Sequence, residues 1–469
     1  MKNKLSSLLL IFSVLCVAVN AQVTVLANFN DITTTSCLNG SSPSGDLISD
    51  GAFLYGMTPM GGATGYGTIF KVKPDGSGFT SIFDFNGTNG YLPWGSLITD
   101  GTYLYGMTEK GGANSDGTVF KVKSNGSGFM NIFDFDISTT GTNPYGSLIT
   151  DGTYLYGMTA SGGANLDGTV FKVKSNGSGF MSIFDFDIST TGYRPMGSLI
   201  SDGAFLYGMT LLGGTNGVGT VFKVKSDGSG FTTLFNFPSA STAGGRSPQG
   251  SLYSDGTYLY GMTQNGGTGG YGTIFKIKPD GTAFNTIYNF GTMLGGHPNS
   301  SLISDGTYLY GTTSSGGTGA LGTVFKIKPD GSGYSNIVNS AEGPKGSLYS
   351  DGSYLYGTST SGGLCSGGTV FKISLTSTGI PSVTDDKEFS IYPNPSDGNF
   401  TLSYQFHNLL NVANFTLFDI TGRVVYQTTL NATGLSKDIS LGSIYPGVYF
   451  WKVSFDKGLI ATGKLSIIK

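Results

Sequence analysis

The sequence predicts an all-β protein, in which a seven-bladed β-propeller closed by an N-terminal strand precedes a small C-terminal β-sandwich. A phrase close to SLITDGTYLYGMT recurs seven times, at spacings of 46 to 53 residues. Each repeat holds four short β-rich segments, which is the strand content of one propeller blade. No segment shows the 3.6-residue apolar period of an amphipathic helix.

The second repeat illustrates the four predicted strands. They are strand A at Gly95–Thr99, strand B at Tyr103–Thr108, strand C at Gly117–Lys123 and strand D at Phe129–Phe135. Asp-Gly between strands A and B predicts a two-residue hairpin, because glycine tolerates positive φ. The tyrosine of the LYG triplet marks each repeat and is expected to pack between blades: Tyr55, Tyr105, Tyr156, Tyr207, Tyr260, Tyr310 and Tyr356.

Repeated polar residues on strands C and D are also expected to pair. Lys121 and its equivalents recur on strand C, and Asp134 or an equivalent asparagine recurs on strand D. Neighbouring strands make them plausible cross-strand partners.

The two ends of the repeat region predict a closed ring. The seventh repeat stops after strand C, at 368–373, whereas Val23–Phe29 resembles the strand D segment Phe231–Phe237. The N-terminal strand is therefore expected to complete the last blade and remove an open edge. An open solenoid would be expected to carry polar caps instead.

Two cysteines of the mature chain fit the same closure. Cys37 follows the N-terminal strand, and Cys365 lies between strands B and C of the seventh repeat. In a closed ring both lie on one face of one blade, and export permits a disulfide between them. The alternative is two free thiols.

Composition and the first residues indicate an exported protein. Lys2 and Lys4, an apolar run and Val19-Asn20-Ala21 predict a signal peptide over residues 1–21. The apolar run is too short to favour a membrane anchor, and no later segment is expected to span a membrane. Charged residues are only 12% and the net charge is −3, which argues against a nucleic-acid groove.

The predicted propeller covers residues 22–374, a linker follows at 375–387, and residues 388–469 change character. Alternating segments such as NFTLSY and GVYFWKV predict a small β-sandwich there. The segments SIYPNPSDGNF, LFDITGR, PGVY and GKLSIIK occur in order. The residues that carry them include Pro393, Asn394, Pro395, Gly398, Phe400, Asp419, Gly422, Arg423, Gly447, Tyr449, Lys464 and Lys469.

This C-terminal segment resembles the sorting domains of the type IX secretion system of Bacteroidetes. The resemblance implies the type IX secretion machinery as a partner, and a protein that is secreted or attached to surface lipopolysaccharide. The repeats themselves resemble the GloVer tandem repeats of secreted bacterial proteins, a family that implies no particular activity. The alternative for the C-terminal segment is a carbohydrate-binding or adhesive β-sandwich.

Candidate ligand contacts come from a variable residue in each D–A loop. Pro-x-Gly precedes strand A, with Ser at the last position in the sixth repeat, and x differs in every repeat. Binding commonly uses such loops on a rigid scaffold, and Trp, Tyr and Arg are the usual anchors. The alternative is that these residues vary because nothing constrains them. The candidates, with two residues that precede the prolines, are Trp94, Tyr145, Arg194, Met196, Gln249, His297, Asn299 and Lys345.

Catalytic and metal sites have little support in the sequence. His297 is the only histidine of the repeat region, so a histidine-based metal site is not expected. Glycosidases need two carboxylates that flank one bond. The repeat-specific acids on the side expected to carry the D–A and B–C loops are few: Glu109, Asp116, Asp136, Asp167, Asp187 and Glu342. We expect no catalytic residue, no metal and no cofactor.

The sequence therefore favours a monomeric, secreted or surface-held propeller that binds a glycan or a protein ligand. The alternative is a polysaccharide-active enzyme, a lyase or hydrolase, with its site at the channel mouth. A third reading is a structural role in matrix or adhesion. Binders need mainly aromatic and amide groups, which the candidate positions supply.

Overall fold

A computed structural model describes residues 23–30, 40–239, 244–292, 294–317, 320–339, 343–364, 366–375, 389–404, 413–419, 423–430, 436–442, 444–455 and 458–468. The signal peptide, both mature cysteines and the linker prediction lie outside these residues. The chain divides into two compact units, Met1–Thr376 and Ser377–Lys469. Among the described residues, no helix has the length and apolar character needed to cross a membrane.

Short β-strands form where the repeat supplies Thr, Val, Phe and Tyr, residues that favour a half-buried pleated surface. The strands of the first unit are β1 (Val23–Asn30), β2 (Ile48–Ser49), β3 (Leu54–Thr58), β4 (Thr68–Val72), β5 (Thr80–Asp84), β6 (Ile98–Thr99), β7 (Tyr103–Thr108), β8 (Thr118–Lys123), β9 (Met130–Asp134), β10 (Ile149–Thr150), β11 (Tyr154–Thr159), β12 (Thr169–Lys174), β13 (Met181–Asp185), β14 (Ile200–Ser201), β15 (Leu206–Thr210), β16 (Thr220–Val224), β17 (Thr232–Asn236), β18 (Arg246–Pro248), β19 (Tyr253–Ser254), β20 (Leu259–Asn265), β21 (Thr273–Ile277), β22 (Asn285–Asn289), β23 (Ile303–Ser304), β24 (Leu309–Thr313), β25 (Thr323–Ile327), β26 (Ser335–Asn339), β27 (Tyr349–Ser350), β28 (Tyr354–Ser359) and β29 (Ser366–Ser374).

These strands form seven antiparallel sheets. Six have the chain order A-B-C-D, from β2-β3-β4-β5 to β23-β24-β25-β26, and one of them gains the short strand β18. The seventh has the order β27-β28-β29-β1. The N-terminal strand β1 pairs with β29, with Val23 opposite Ile373 and Asn30 opposite Ser366. The predicted displaced strand D is therefore found at its expected place.

A hydrophobic cluster lies between each pair of successive sheets. In the first pair, Tyr55 packs with Phe85, Leu104 and Phe120, and the next five clusters repeat this arrangement. A seventh cluster joins Phe29 of β1 to residues of both the first and the seventh repeats. The LYG tyrosines pack between sheets as predicted.

The segments that lead into the A strands are linked from repeat to repeat by hydrogen bonds. The Ser96 amide donates to Ser147 Oγ at 2.7 Å, and the same bond recurs along the chain. The series ends where the Ser347 amide donates to Asp46 Oδ1 at 2.7 Å, and the Asp46 amide donates to Ser96 Oγ at 2.7 Å. We call these seven residues the inner ring: Asp46, Ser96, Ser147, Ser198, Ser251, Ser301 and Ser347.

These bonds explain why strand A is shorter than predicted. In the second repeat it covers only Ile98–Thr99 rather than Gly95–Thr99. The Ser96 amide bonds the neighbouring repeat instead of strand B. The glycines here permit the close approach, since a Cβ on Gly95 would lie 2.3 Å from Gly146 O.

The expected pairing of strand C lysines with strand D acids is wrong. Lys121 Nζ instead donates to Ser175 O of the next repeat at 3.1 Å and lies 5.0 Å from the ring centre of Tyr103. Asp134 accepts from the amide of Ala113 at 3.0 Å and so holds the B–C loop. The register places Asp134 opposite Thr118, too far along the strand from Lys121 for a direct pair.

Each LYG tyrosine also binds the aspartate of its A–B turn. Tyr156 Oη donates to Asp151 Oδ2 at 2.7 Å, and two turn amides donate to Oδ1. The other six repeats have the same tyrosine bond. Burial raises the pKa of each carboxyl, but these hydrogen bonds outweigh it and hold the pKa below its ordinary value.

Stability is therefore expected to fall in acid. Because the pKa of each turn carboxyl is lower in the folded than in the unfolded chain, its contribution is present above about pH 4 and is lost as the pH falls through the folded value. The melting temperature of the repeat unit should be level near neutral pH and drop below about pH 4. Asp151→Asn should melt below the wild type at neutral pH and approach it in acid. A wild-type melting temperature that stays level into acid would contradict this.

The second unit contains β30 (Phe389–Tyr392), β31 (Asn399–Tyr404), β32 (Ala413–Phe418), β33 (Val424–Leu430), β34 (Ser436–Ser440), β35 (Gly447–Phe455) and β36 (Gly458–Ile467). They form sheets of order β30-β31-β34 and β33-β32-β35-β36. One apolar core that includes Phe400, Phe415 and Tyr449 draws residues from both sheets. This is the predicted small β-sandwich.

Several residues of the C-terminal motifs hold this sandwich together. Asn394 Nδ2 donates to Lys464 O at 2.9 Å, while Asn394 Oδ1 accepts from the Ser466 amide at 2.9 Å. Arg423 Nε donates to Asp419 Oδ2 at 3.0 Å. Peptide bonds before Pro393 and Pro395 are cis, and Gly398 has a φ of 107°. Gly422 and Lys469 lie outside the described residues.

Candidate functional site

The D–A and B–C loops meet on one face of the repeat unit. Isolated β-bridges join the D–A loop to the residues that follow strand B, as between Tyr91 and Lys110 and between Thr142 and Ser161. The A–B and C–D turns lie at the opposite strand ends, because each sheet is antiparallel throughout. We call the first side the loop face.

Each D–A loop holds its variable residue in a fixed backbone. The prolines of Pro-x-Gly are buried, and the residue before each one is left-handed. Six of these seven residues are not glycine, so the conformation carries a cost of roughly 1–2 kcal/mol at each. The φ angles of these residues are 57° at Ser42, 57° at Leu92, 59° at Asn143, 55° at Arg194, 57° at Ser247, 52° at His297 and 55° at Gly343.

Two predicted contacts, Trp94 and Tyr145, donate hydrogen bonds to the same carboxylate. Trp94 Nε1 donates to Glu109 Oε2 at 2.6 Å, and Tyr145 Oη donates to Glu109 Oε1 at 2.8 Å. Trp94 and Glu109 belong to the second repeat and Tyr145 to the third. All three side chains are half-buried. One glutamate therefore fixes two aromatic side chains from neighbouring repeats.

Arg194 of the fourth repeat joins this group, which we call the aromatic cluster. Burial and the hydrogen bond to Glu109 raise the pKa of Tyr145 to about 12, and the positive charge of Arg194 opposes that rise. The guanidinium therefore lies close to the phenol. The aromatic cluster combines two aromatic rings, one carboxylate and one cation, and none of the other repeats has the same residues at these positions.

The remaining predicted contacts are Met196, Gln249, His297, Asn299 and Lys345, and none of them is bonded to Glu109 as Trp94 and Tyr145 are. Gln249, Asn299 and Met196 are half-buried, and Lys345 is exposed. The described residues offer no hydrogen-bond partner to Gln249 Oε1, to Asn299 Oδ1 or to Ser44 Oγ, which occupies the same loop position. The structure therefore brings together three of the eight predicted residues.

His297 is tied to the loops of its own neighbourhood. Its Nδ1 lies 3.0 Å from Gln264 O, and its ring meets the edge of Tyr271 at a centroid distance of 5.5 Å. Within the described ranges, no group of three His, Cys, Asp or Glu side chains is placed to hold a metal ion.

The other repeat-specific acids support loops. Asp116 Oδ2 accepts from the Ile137 amide at 2.9 Å, and Asp167 Oδ2 accepts from the Ile188 amide at 2.8 Å. The Asp136 and Asp187 carboxylates accept from the amide and hydroxyl of Ser138 and of Ser189, respectively, within their own loops. Glu342 lies outside the described residues.

Sequence reasoning missed the roles of Glu109 and Asp46. Glu109 was recognised only as an acid on the loop face, because its link to Tyr145 joins two repeats. Asp46 is the one inner-ring residue that is not serine. Aligning the seven repeats at this position would have found it.

Two family models match the chain. The Gloeobacter/Verrucomicrobia repeat matches residues 10–218 and 195–390, and the secretion system C-terminal sorting domain matches residues 390–469. Both resemblances inferred from the sequence are thereby confirmed. No curated protein sequence matches the chain.

Solved structures share the fold at low identity. An extracellular domain from B. thetaiotaomicron is 13% identical with a TM-score of 0.50, over 96% of this chain and 59% of that one. A second extracellular domain from that organism is 12% identical with a TM-score of 0.50, over 95% and 57%. Oligogalacturonate lyase from Vibrio parahaemolyticus is 13% identical with a TM-score of 0.51, over 76% and 94%. The chain thus spans less than two thirds of the first two, and these likenesses concern the fold alone.

Proposed function

This chain belongs to the Gloeobacter/Verrucomicrobia repeat family and ends in a secretion system C-terminal sorting domain, and we propose that it is an exported glycan-binding protein. In this proposal the seven sheets are the blades of one closed propeller, and the ligand docks at the mouth of its central channel. The sorting domain indicates secretion or export to the cell surface. We further propose that the type IX secretion machinery carries out that export.

Three features support the closed propeller. β1 completes the seventh sheet, the inner-ring hydrogen bonds return to Asp46, and one apolar cluster joins the last repeat to the first. Closure covers the apolar faces of the first and last blades against each other, where an open assembly would leave them exposed. The central channel then opens on the loop face among the Pro-x-Gly residues.

The bond between Glu109 and both Trp94 and Tyr145 carries the binding proposal. The two carboxylate oxygens of Glu109 each accept one hydrogen bond, one from Trp94 and one from Tyr145. These bonds fix both rings before a ligand arrives. Rigid aromatic surfaces lose little entropy on binding, so preorganisation of this kind adds to affinity. A sugar ring matches the aromatic cluster, because its C–H face stacks on an aromatic ring while its hydroxyls bond a carboxylate or a guanidinium.

Trp94→Ala is expected to weaken glycan binding by at least about tenfold, since a central aromatic anchor is commonly worth 2 kcal/mol or more. The measurement is a glycan array followed by titration calorimetry of the strongest ligand. Tyr145→Phe, which removes only the hydroxyl that Glu109 holds, should weaken the same ligand with little change in melting temperature. Met130→Ala is the matched control, because Met130 is 51% exposed on strand D.

Binding that survives both Trp94→Ala and Tyr145→Phe would overturn the proposed site. The same array ligands should be incubated with the protein and examined for shorter products. Turnover of any of them would overturn the assignment as a binding protein and favour a polysaccharide-active enzyme.

A further inference from the structure

The inner ring contains one charged residue, Asp46, which its hydrogen-bond pattern does not require. Six repeats place serine at this position, and each serine Oγ accepts the amide of the preceding repeat. The first repeat places Asp46 there, and its Oδ1 accepts the Ser347 amide in the same way. A serine completes the ring six times, so closure alone does not explain a carboxylate.

The carboxylate of Asp46 is held among neutral groups. It is half-buried, and the hydroxyls of Ser347 and Ser96 add hydrogen bonds to that of the Ser347 amide. Burial raises the pKa of the Asp46 carboxyl despite these bonds. The ion pair found in the described residues, between Arg423 and Asp419, lies in the other unit. A charge that is desolvated without a counter-charge is costly.

Asp46 lies in the inner ring next to the backbone of the loop that carries Trp94. It follows Ser44 and Gly45 of the first Pro-x-Gly loop, and a Cβ on Gly45 would lie 3.2 Å from Trp94 O. The Asp46 amide bonds Ser96, two residues beyond Trp94. The backbones that carry Asp46 and Trp94 therefore adjoin at the proposed channel mouth.

The donor set favours an ammonium group over a divalent cation. Calcium takes six to eight oxygen ligands and usually several carboxylates, whereas the inner ring has one carboxylate. A primary ammonium carries one charge and three N–H donors, which match one carboxylate and adjacent serine oxygens.

We propose that Asp46 binds the ammonium group of an amino sugar that enters the channel mouth. This inference rests on the proposed function, since it names the ligand class of the same site. The hydrogen bond from the Ser347 amide fixes the carboxylate, and the sugar's charge offsets the cost of burying it.

The test compares two oligomers of the same backbone and length: glucosamine hexamer, which carries an amine on each residue, and N-acetylglucosamine hexamer, which carries a neutral acetamide instead. The wild type should bind glucosamine hexamer at least about tenfold more tightly at about pH 6, where most of its amines are protonated, as a charged hydrogen bond of about 1.5–3 kcal/mol implies. Asp46→Asn keeps an acceptor for the Ser347 amide but removes the charge, and should abolish the preference. Asp46→Ser, the residue of the other six repeats, should do the same without a lower melting temperature.

Equal binding of the two oligomers by the wild type, or no binding of either, overturns the inference. So does an unchanged preference in Asp46→Asn, or tighter binding of a lysine pentapeptide than of glucosamine hexamer. Trp94-dependent binding of some other glycan would leave the proposed function standing while this inference fails. Absence of any Trp94-dependent glycan binding would remove both.

Discussion

Phe29→Ala is expected to destabilise the repeat unit by about 3–5 kcal/mol, the usual cost of truncating a fully buried phenylalanine. Phe29 is 0% exposed, and its ring meets the edges of Phe70 and Phe79 at centroid distances of 4.9 and 5.2 Å. Phe29 belongs to β1 of the seventh sheet, whereas Phe70 and Phe79 belong to the first repeat. The substitution thus removes the contact by which the N-terminal strand joins the last sheet to the first. Chemical denaturation measures the loss.

Val25→Ala is the matched control for this loss. Val25 lies on the same strand but is 41% exposed, so its truncation should cost less than about 1 kcal/mol. A double-mutant cycle of Phe29→Ala with Phe79→Ala should give a coupling energy near 1 kcal/mol, as expected for an edge-to-face pair. Equal losses for Phe29→Ala and Val25→Ala, with no coupling, would show that β1 does not bridge the two repeats.

Gly146→Ala should be the second severe substitution. A Cβ on Gly146 would lie 2.2 Å from Gly197 O, which is a backbone atom of the next inner segment and cannot move alone. Overpacking of this kind typically costs 1–3 kcal/mol, and we expect about 3 kcal/mol or more here because backbone must shift. A lower denaturation midpoint with an unchanged slope would report that loss.

Gly291→Ala separates this steric effect from the general effect of removing a glycine. No atom lies within 4 Å of a Cβ built on Gly291, and neither Gly146 nor Gly291 has a positive φ. The control should stay within about 0.5 kcal/mol of the wild type, as a surface substitution does. If the two variants were equally stable, the inner segments would not be in contact.

Much of the fold follows from the repeat and its displaced strand. The pairing of β1 with β29 was predictable because Val23–Phe29 resembles a strand D and the seventh repeat lacks one. The shortening of strand A was not, because the amides of Ser96 and its equivalents bond the neighbouring repeat. No local pattern distinguishes an amide that bonds its own hairpin from one that bonds the next sheet.

The candidate site was predictable only as a set of positions. Trp94 and Tyr145 stand out as aromatic residues in otherwise equivalent loops, and both join the aromatic cluster. Their link through Glu109 depends on how one repeat packs against the next, which a single sequence does not contain. Gln249 and Asn299 occupy the same loop position, yet their amide oxygens are buried without a partner. Equivalent positions therefore do not imply equivalent hydrogen bonding.

Hydrogen–deuterium exchange with the bound glycan tests most directly whether the loop face carries the function. The account predicts slower exchange in the segments 92–95, 143–146 and 194–197, which hold Trp94, Tyr145 and Arg194 of the aromatic cluster. Exchange at the A–B turns, such as Asp100-Gly101 and Asp151-Gly152, should stay unchanged. Protection confined to those turns, or to the C-terminal unit, would contradict a ligand site at the channel mouth.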